Sequence, residues 1–131
     1  MKIKRLLCVD DDKITLTLIK LVVEKTAFAE EITTRMNGKE ALDYYHELLQ
    51  NSAIENAPDL IFLDLNMPVM NGWDFLEEFM NRFYQTFNKT RVVILSSSTD
   101  QAEKARAEQY PMIIDYITKP LTIGSIANLK I

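Results

Sequence analysis

Five polar residues follow short apolar runs in this sequence, and their types are those that bind cations and phosphoryl groups: Asp10, Asp11, Asp64, Ser96 and Lys119. The runs have the composition of strands that are buried on both faces of a sheet: residues 6–9, 60–63, 92–95 and 113–117. Ligands of open parallel sheets bind outside the carboxyl ends of the strands. We therefore expect these polar side chains to meet at one edge.

The chemistry of such a group follows from its charges. Three carboxylates without a cation would repel one another, and at least one would stay protonated. A divalent metal removes this conflict, and oxygen ligands without a nearby His or Cys favour Mg²⁺ or Mn²⁺ over Zn²⁺. Lys119 can neutralise phosphoryl oxygens, and the Ser96 hydroxyl can donate to one of them. The set is typical of phosphoryl transfer, in which a carboxylate can also be the nucleophile.

Segments with helical spacing separate the apolar runs. The first has Asp12 as its expected N-cap and helical spacing at the apolar residues Ile14, Leu18, Leu21 and Val22 and at Lys25. The next two follow Asn37 and open at Gly72, with apolar faces at Ala41, Leu42, Tyr45, Leu48 and Leu49, and at Phe75, Leu76, Phe79 and Phe83. A polar fourth helix starts near Asp100, where Ser98 and Gln101 have capping-box spacing. A short fifth, over residues 121–129, is interrupted by Gly124.

Strands and helices that alternate in this way predict an α/β fold with a parallel sheet covered on both faces. A more polar run over residues 31–36 supplies a second, edge-like strand. Five such units predict a flavodoxin-like three-layer sandwich with strand order 2-1-3-4-5. The length of 131 residues fits one domain, residues 1–131.

Charge and composition exclude some functions. The net charge of −4 argues against nucleic-acid binding, and the basic start at Lys2, Lys4 and Arg5 is too short to change that. No run reaches the roughly 20 apolar residues that a membrane span needs. The lone Cys8 lies in an apolar run, where it reads as a small buried hydrophobe in a reducing compartment. We expect a cytoplasmic protein.

Four segments together resemble the receiver domain of two-component response regulators, including the single-domain chemotaxis type. They are LCVDDD at 7–12, LIFLDLNMPVMNG at 60–72, VILSS at 93–97 and DYITKP at 115–120. Each segment is a weak signal alone, but the four in this order lie on different strand ends. Because they are spread from residue 7 to residue 120, they anchor the resemblance over nearly the whole chain.

The resemblance implies roles for individual residues. Asp64 is the phosphoacceptor, and Mg²⁺ is held by Asp64, Asp11 and the carbonyl of Asn66, with Asp10 orienting metal-bound water. Ser96 and Lys119 bind the phosphoryl group. The Ser96 hydroxyl and the ring at Tyr116 form the switch. It also implies a cis Lys119–Pro120 bond and a positive φ tolerated at Gly72.

The implied protein is a signalling module and not an enzyme, with a sensor histidine kinase or a histidine phosphotransfer domain as its donor. Its downstream partner is a protein that the sequence does not identify. A monomer or weak homodimer is expected, since the last helix is short. Asp12 reads as a helix cap, and His46 as a surface residue.

Two alternatives stay open. A phosphatase of the haloacid dehalogenase-like kind also uses an aspartate nucleophile, but it needs a second acid two residues later, where this chain has Asn66. A pseudo-receiver would keep the fold without being phosphorylated, and the complete set of site residues argues against it.

Overall fold

The computed structural model describes residues 3–129, in which strands and helices alternate along the chain. The strands are β1 Ile3–Val9, β2 Ala29–Arg35, β3 Leu60–Leu63, β4 Arg91–Ser96 and β5 Ile113–Thr118. The α-helices are α1 Lys13–Thr26, α2 Gly38–Gln50, α3 Gly72–Arg82, α4 Gln101–Ala107 and α5 Ile123–Ala127. Residues 1, 2, 130 and 131 of the predicted domain, and with them Lys2 of the basic start, lie outside the described residues.

The five strands form one parallel sheet in the order β2-β1-β3-β4-β5, which confirms the predicted topology. β1 and β3 lie side by side in the middle of the order, with Val9 opposite Leu63. The residues that follow these two strands are therefore neighbours in space. None of the helices between residues 3 and 129 has the length and apolar character needed to cross a bilayer.

Two apolar clusters cover the two faces of the sheet, and alternate residues of β1 point into each of them. Leu7 and Val9 belong to the cluster under α2 and α3, whose aromatic members are Tyr45, Phe75, Phe79, Phe83, Phe87 and Tyr110. Leu6 and Cys8 belong to the cluster under α1 and α5. Cys8 is fully buried, and burial raises the pKa of its thiol to about 12, so it packs as the predicted hydrophobe.

The apolar face predicted for α1 is wrong. Ile14, Leu18 and Leu21 are 72%, 50% and 50% exposed, whereas the residues packed on the sheet are Leu16, Ile19 and Val23. The helix carries apolar side chains on both stripes, and only contact with the sheet selects one of them. Asp12 caps the helix as predicted, accepting a hydrogen bond from the backbone N–H of Ile14 at 2.9 Å.

The last two helices also differ from expectation at their starts. Asp100 is the N-cap of α4 and accepts from the N–H of Ala102, while Ser98 accepts from the N–H of Asp100, so the predicted capping box of Ser98 and Gln101 is wrong. α5 has only five residues, and a capping box between Thr122 and Ser125 defines its start.

Candidate functional site

The site lies where β1 and β3 end beside each other. The backbone N–H of Asp64 donates to the carbonyl of Val9 at 2.9 Å, which fixes the residue after β3 next to the end of β1. Asp10 is held from its other side, because its N–H donates to the carbonyl of Arg35 at 3.1 Å. Both carboxylates are buried, at 2% exposure for Asp10 and 6% for Asp64.

Three carboxylates meet at this edge, as the sequence predicts. Asp10, Asp11 and Asp64 each offer an oxygen, and these oxygens all lie within 4.8 Å of one another. Asp11 is exposed, so the group is open to solvent on one side. Carboxylate oxygens that lie this close together, two of them from buried residues, fit a hard divalent cation such as Mg²⁺. The side chain of Asn66 is exposed, and the role of its carbonyl as a ligand stays a prediction.

Lys119 brings the positive charge to this acidic group. Its Nζ lies 2.8 Å from Oδ2 of Asp10 and 3.4 Å from Oδ1 of Asp64. Its backbone N–H donates to the carbonyl of Ser96 at 2.8 Å, which ties the segment after β5 to the end of β4. The Lys119–Pro120 bond is cis, as predicted.

The pKa values at the site move in directions that follow from burial and charge. Burial, and then the negative charge of Asp10, raise the pKa of Asp64, while Lys119 opposes the shift. Burial would lower the pKa of Lys119, but the hydrogen bond and charge of Asp10, followed by Asp64, outweigh it and raise that pKa. The lysine therefore stays protonated, and a nearby positive charge favours the ionised form of Asp64.

The two predicted switch residues share a partner that the sequence interpretation missed. The hydroxyl of Ser96, which is fully buried, donates to Oε1 of Glu103 on α4 at 2.7 Å. The hydroxyl of Tyr116 also donates to this oxygen, and its single proton is shared with the carbonyl oxygen of Ser98, which lies 3.0 Å away. Glu103 stands three residues after the N-cap, where an acid ordinarily supports the helix start. The position of Glu103 in the sequence therefore did not indicate that it contacts Ser96 and Tyr116.

The loop between β3 and α3 depends on a close approach of backbone to backbone. A Cβ on Gly72 would lie 2.5 Å from the carbonyl oxygen of Asp64. The predicted reason for this glycine, a positive φ, is wrong, since the positive φ in the loop belongs to Val69 at 70°. Met67 is buried, and Met70 and Trp73 are half-buried, so these side chains pack around the loop. His46 is exposed on α2, as predicted.

Comparison with known proteins agrees with this geometry. Residues 6–129 match the family described as the response regulator receiver domain. A protein-glutamate methylesterase/protein-glutamine glutaminase of Treponema denticola is 36% identical over 117 residues, which are 88% of this chain and 28% of the relative. The chain thus spans less than a third of that relative's length.

Two solved structures show the same fold. A two-component response regulator from Cytophaga hutchinsonii has a TM-score of 0.87 and 34% identity, and the match covers 98% of this chain and 94% of the other. The chemotaxis response regulator CheY4 of Vibrio cholerae, at 22% identity, shares the fold with a TM-score of 0.73, over 96% of this chain and 94% of its own.

Proposed function

This chain belongs to the response regulator receiver domain family of two-component signalling, and we propose that it accepts a phosphoryl group on Asp64. The observation that carries the proposal is the position of the Asp64 carboxylate. It is buried, close to oxygens of Asp10 and Asp11, and 3.4 Å from the ammonium of Lys119. A carboxylate with this mixture of neighbours is suited to nucleophilic attack on a phosphoryl group.

Each residue has a separate task in this proposal. Oxygens of Asp10, Asp11 and Asp64, with the carbonyl of Asn66, would hold Mg²⁺. The ion supplies charge neutralisation for the phosphoryl oxygens. Asp64 attacks phosphorus on the phosphohistidine of a sensor kinase or phosphotransfer domain, forming a P–O bond as the P–N bond breaks. Lys119 offsets the charge that then accumulates at Asp64, and Ser96 donates to a phosphoryl oxygen.

The output is a change of protein contacts. Ser96 and Tyr116 respond to the phosphoryl group, and α4 is joined to both through Glu103. We propose a downstream protein partner, or a role as a phosphate sink, for a monomer or weak homodimer in the cytoplasm. The esterase activity named for the Treponema relative is not carried over, because the matched region is 28% of that protein. The chain then acts as a phosphoacceptor and not as an enzyme.

The intact mass of the protein tests this function. Wild type and Asp64→Asn are incubated with acetyl phosphate and Mg²⁺, beside a receiver that is known to be labelled under these conditions. We expect one phosphoryl adduct on the wild type, its loss with EDTA, and none on the variant. If only the known receiver is labelled, the proposal fails for small donors, and the pseudo-receiver becomes the better account.

A further inference from the structure

Two hydroxyls converge on one carboxylate oxygen beside the site. Ser96 and Tyr116 come from neighbouring strands, β4 and β5, and both donate to Oε1 of Glu103 on α4. An ionised carboxylate can only accept hydrogen bonds, so the direction of both bonds is fixed. Hydrogen bonds to an ionised acceptor are about twice as strong as those between neutral groups. Glu103 thus holds the side chains of the two predicted switch residues in one arrangement.

Ser96 cannot donate to Glu103 and to a phosphoryl group at the same time. A serine hydroxyl has one proton, and here the proton is given to Glu103 at 2.7 Å. The backbone N–H of Ser98 donates into the same Ser96 oxygen at 3.1 Å, so that oxygen is already serving as an acceptor. Ser96 has no second proton to offer a phosphoryl oxygen on Asp64. It must leave Glu103 before it can bind the phosphoryl group.

We propose that Glu103 is a positioning residue that competes with the phosphoryl group of Asp64 for the Ser96 proton and holds the Tyr116 hydroxyl against α4 until that competition is lost. The inference rests on the proposed function and goes beyond it, because it assigns a resting-state latch to a residue of α4. The neighbouring Lys104 adds to the hold, with its Nζ 5.5 Å from the centre of the Tyr116 ring. When Ser96 leaves Glu103, the Glu103 side chain loses one of the two hydrogen bonds that position it against Tyr116.

Removing the competitor should tighten binding at the site. The probe is beryllofluoride, which imitates a phosphoryl group on aspartate, titrated calorimetrically in the presence of Mg²⁺. We expect Glu103→Gln to bind about threefold more tightly than the wild type, because the neutral amide is a weaker acceptor. Glu103→Ala should bind about tenfold more tightly, which is the effect of losing one hydrogen bond of ordinary strength.

Two controls separate the latch from simple electrostatics. Glu108→Gln removes the same charge from an exposed position at the end of α4 and should leave the affinity unchanged. In a Ser96→Ala background there is no proton to compete for, so Glu103→Ala should change the affinity by less than about twofold. Circular dichroism spectra and urea midpoints of all variants establish that they are folded before the titrations are compared.

The outcomes are distinct. A gain in affinity for Glu103→Gln and Glu103→Ala that disappears in the Ser96→Ala background supports the latch. An unchanged or weaker affinity in the folded Glu103 variants overturns it, and so does a gain that persists when Ser96 is alanine. If the wild type itself binds no beryllofluoride with Mg²⁺, the proposed function has failed, and that failure is visible before any Glu103 variant is measured.

Discussion

The segment from β3 into α3 and the segment from β5 into α5 each carry a residue of the site, yet they are packed very differently. After Asp64 the chain is pinned, because the N–H of Gly72 donates to the carbonyl of Leu65 at 3.0 Å and α3 follows with 11 residues on a fully buried aromatic face. After Lys119 the chain enters a helix of five residues. Only Ile126 of that helix is buried, and Ile123 is 55% exposed.

The second segment also borders an open groove. A groove of about 290 Å³ opens between the end of α1 and α5, lined by Thr26, Phe28, Ile123, Ile126 and Ala127. The two segments therefore position their site residues by different kinds of contact. Asp64, the proposed phosphoacceptor, is held by close backbone contacts, whereas the side chains of Ser96 and Tyr116 are held to α4 by hydrogen bonds to Glu103 that a phosphoryl group could replace.

The largest expected effect comes from adding a side chain at Gly72, whose backbone packs against the carbonyl of Asp64. Gly72→Ala places a Cβ 2.5 Å from the Asp64 carbonyl oxygen, and neither partner is a flexible side chain. We expect the free energy of unfolding to fall by about 3 kcal/mol, the upper range for overpacking. Urea unfolding followed by circular dichroism measures it. A loss below about 1 kcal/mol would mean that the loop yields, and that the two segments do not differ as described.

If Mg²⁺ binds at Asp10, Asp11 and Asp64 as proposed, it should stabilise the folded protein through these carboxylates. Ligand binding to the folded state raises the free energy of unfolding by roughly 1.4 kcal/mol when free Mg²⁺ is about ten times its Kd. Asp11→Asn should lose this gain, because it removes one of the carboxylates. Asp12→Asn, beside it, should keep the gain, since Asp12 caps α1. Urea midpoints with Mg²⁺ and with EDTA give the comparison, and equal gains in both variants would contradict the assigned ligands.

The crowded charges predict that the site costs stability when no metal is bound. Asp64→Asn keeps the shape of the side chain and removes a buried negative charge. Burial and the charge of Asp10 both raise the pKa of the Asp64 carboxyl group, so the ionised form is disfavoured. In EDTA we expect this variant to be more stable than the wild type by about 1 kcal/mol. Unfolding in urea with EDTA measures the difference. A destabilised variant would show that Asp64 serves the fold more than the site.

The smallest expected effect lies in α5. Gly124→Ala meets no atom closer than 3.7 Å, and Gly124 has no positive φ. The free energy of unfolding should rise by about 0.4–1 kcal/mol, because alanine restricts the unfolded chain. The same urea experiment therefore gives opposite signs for alanine at Gly72 and at Gly124. A destabilised Gly124→Ala would show that α5 is packed as tightly as α3.

The sequence was enough to predict the strands and the convergence of the acidic residues, because both depend on patterns along one strand at a time. The strand order followed from the fold that five alternating strand and helix units fit. Buried strands have continuous apolar runs, and parallel strands bring their carboxyl ends to a common edge. The buried stripe of α1 could not be chosen in the same way. Its apolar residues lie on two stripes, and the choice of Leu16, Ile19 and Val23 over Ile14 and Leu18 is made by the sheet beneath.

Two features of the site were beyond prediction for a related reason. The need for Gly72 comes from the backbone oxygen of Asp64, eight residues earlier along a folded loop, and no local turn pattern reports such an approach. Glu103 occupies a position where an acid already has an ordinary explanation as a helix-start residue. Its contact with Ser96 and Tyr116 joins three elements, and it exists only when all three are assembled.

Mapping the modified residue tests the central claim most directly. Wild-type protein is phosphorylated with acetyl phosphate and Mg²⁺, reduced with borohydride, which converts an aspartyl phosphate to homoserine, and digested for peptide sequencing by mass spectrometry. We expect homoserine at position 64 alone, and none when EDTA is present. Homoserine at Asp10, Asp11 or Asp12, with position 64 unmodified, would contradict the assignment of Asp64 as the phosphoacceptor.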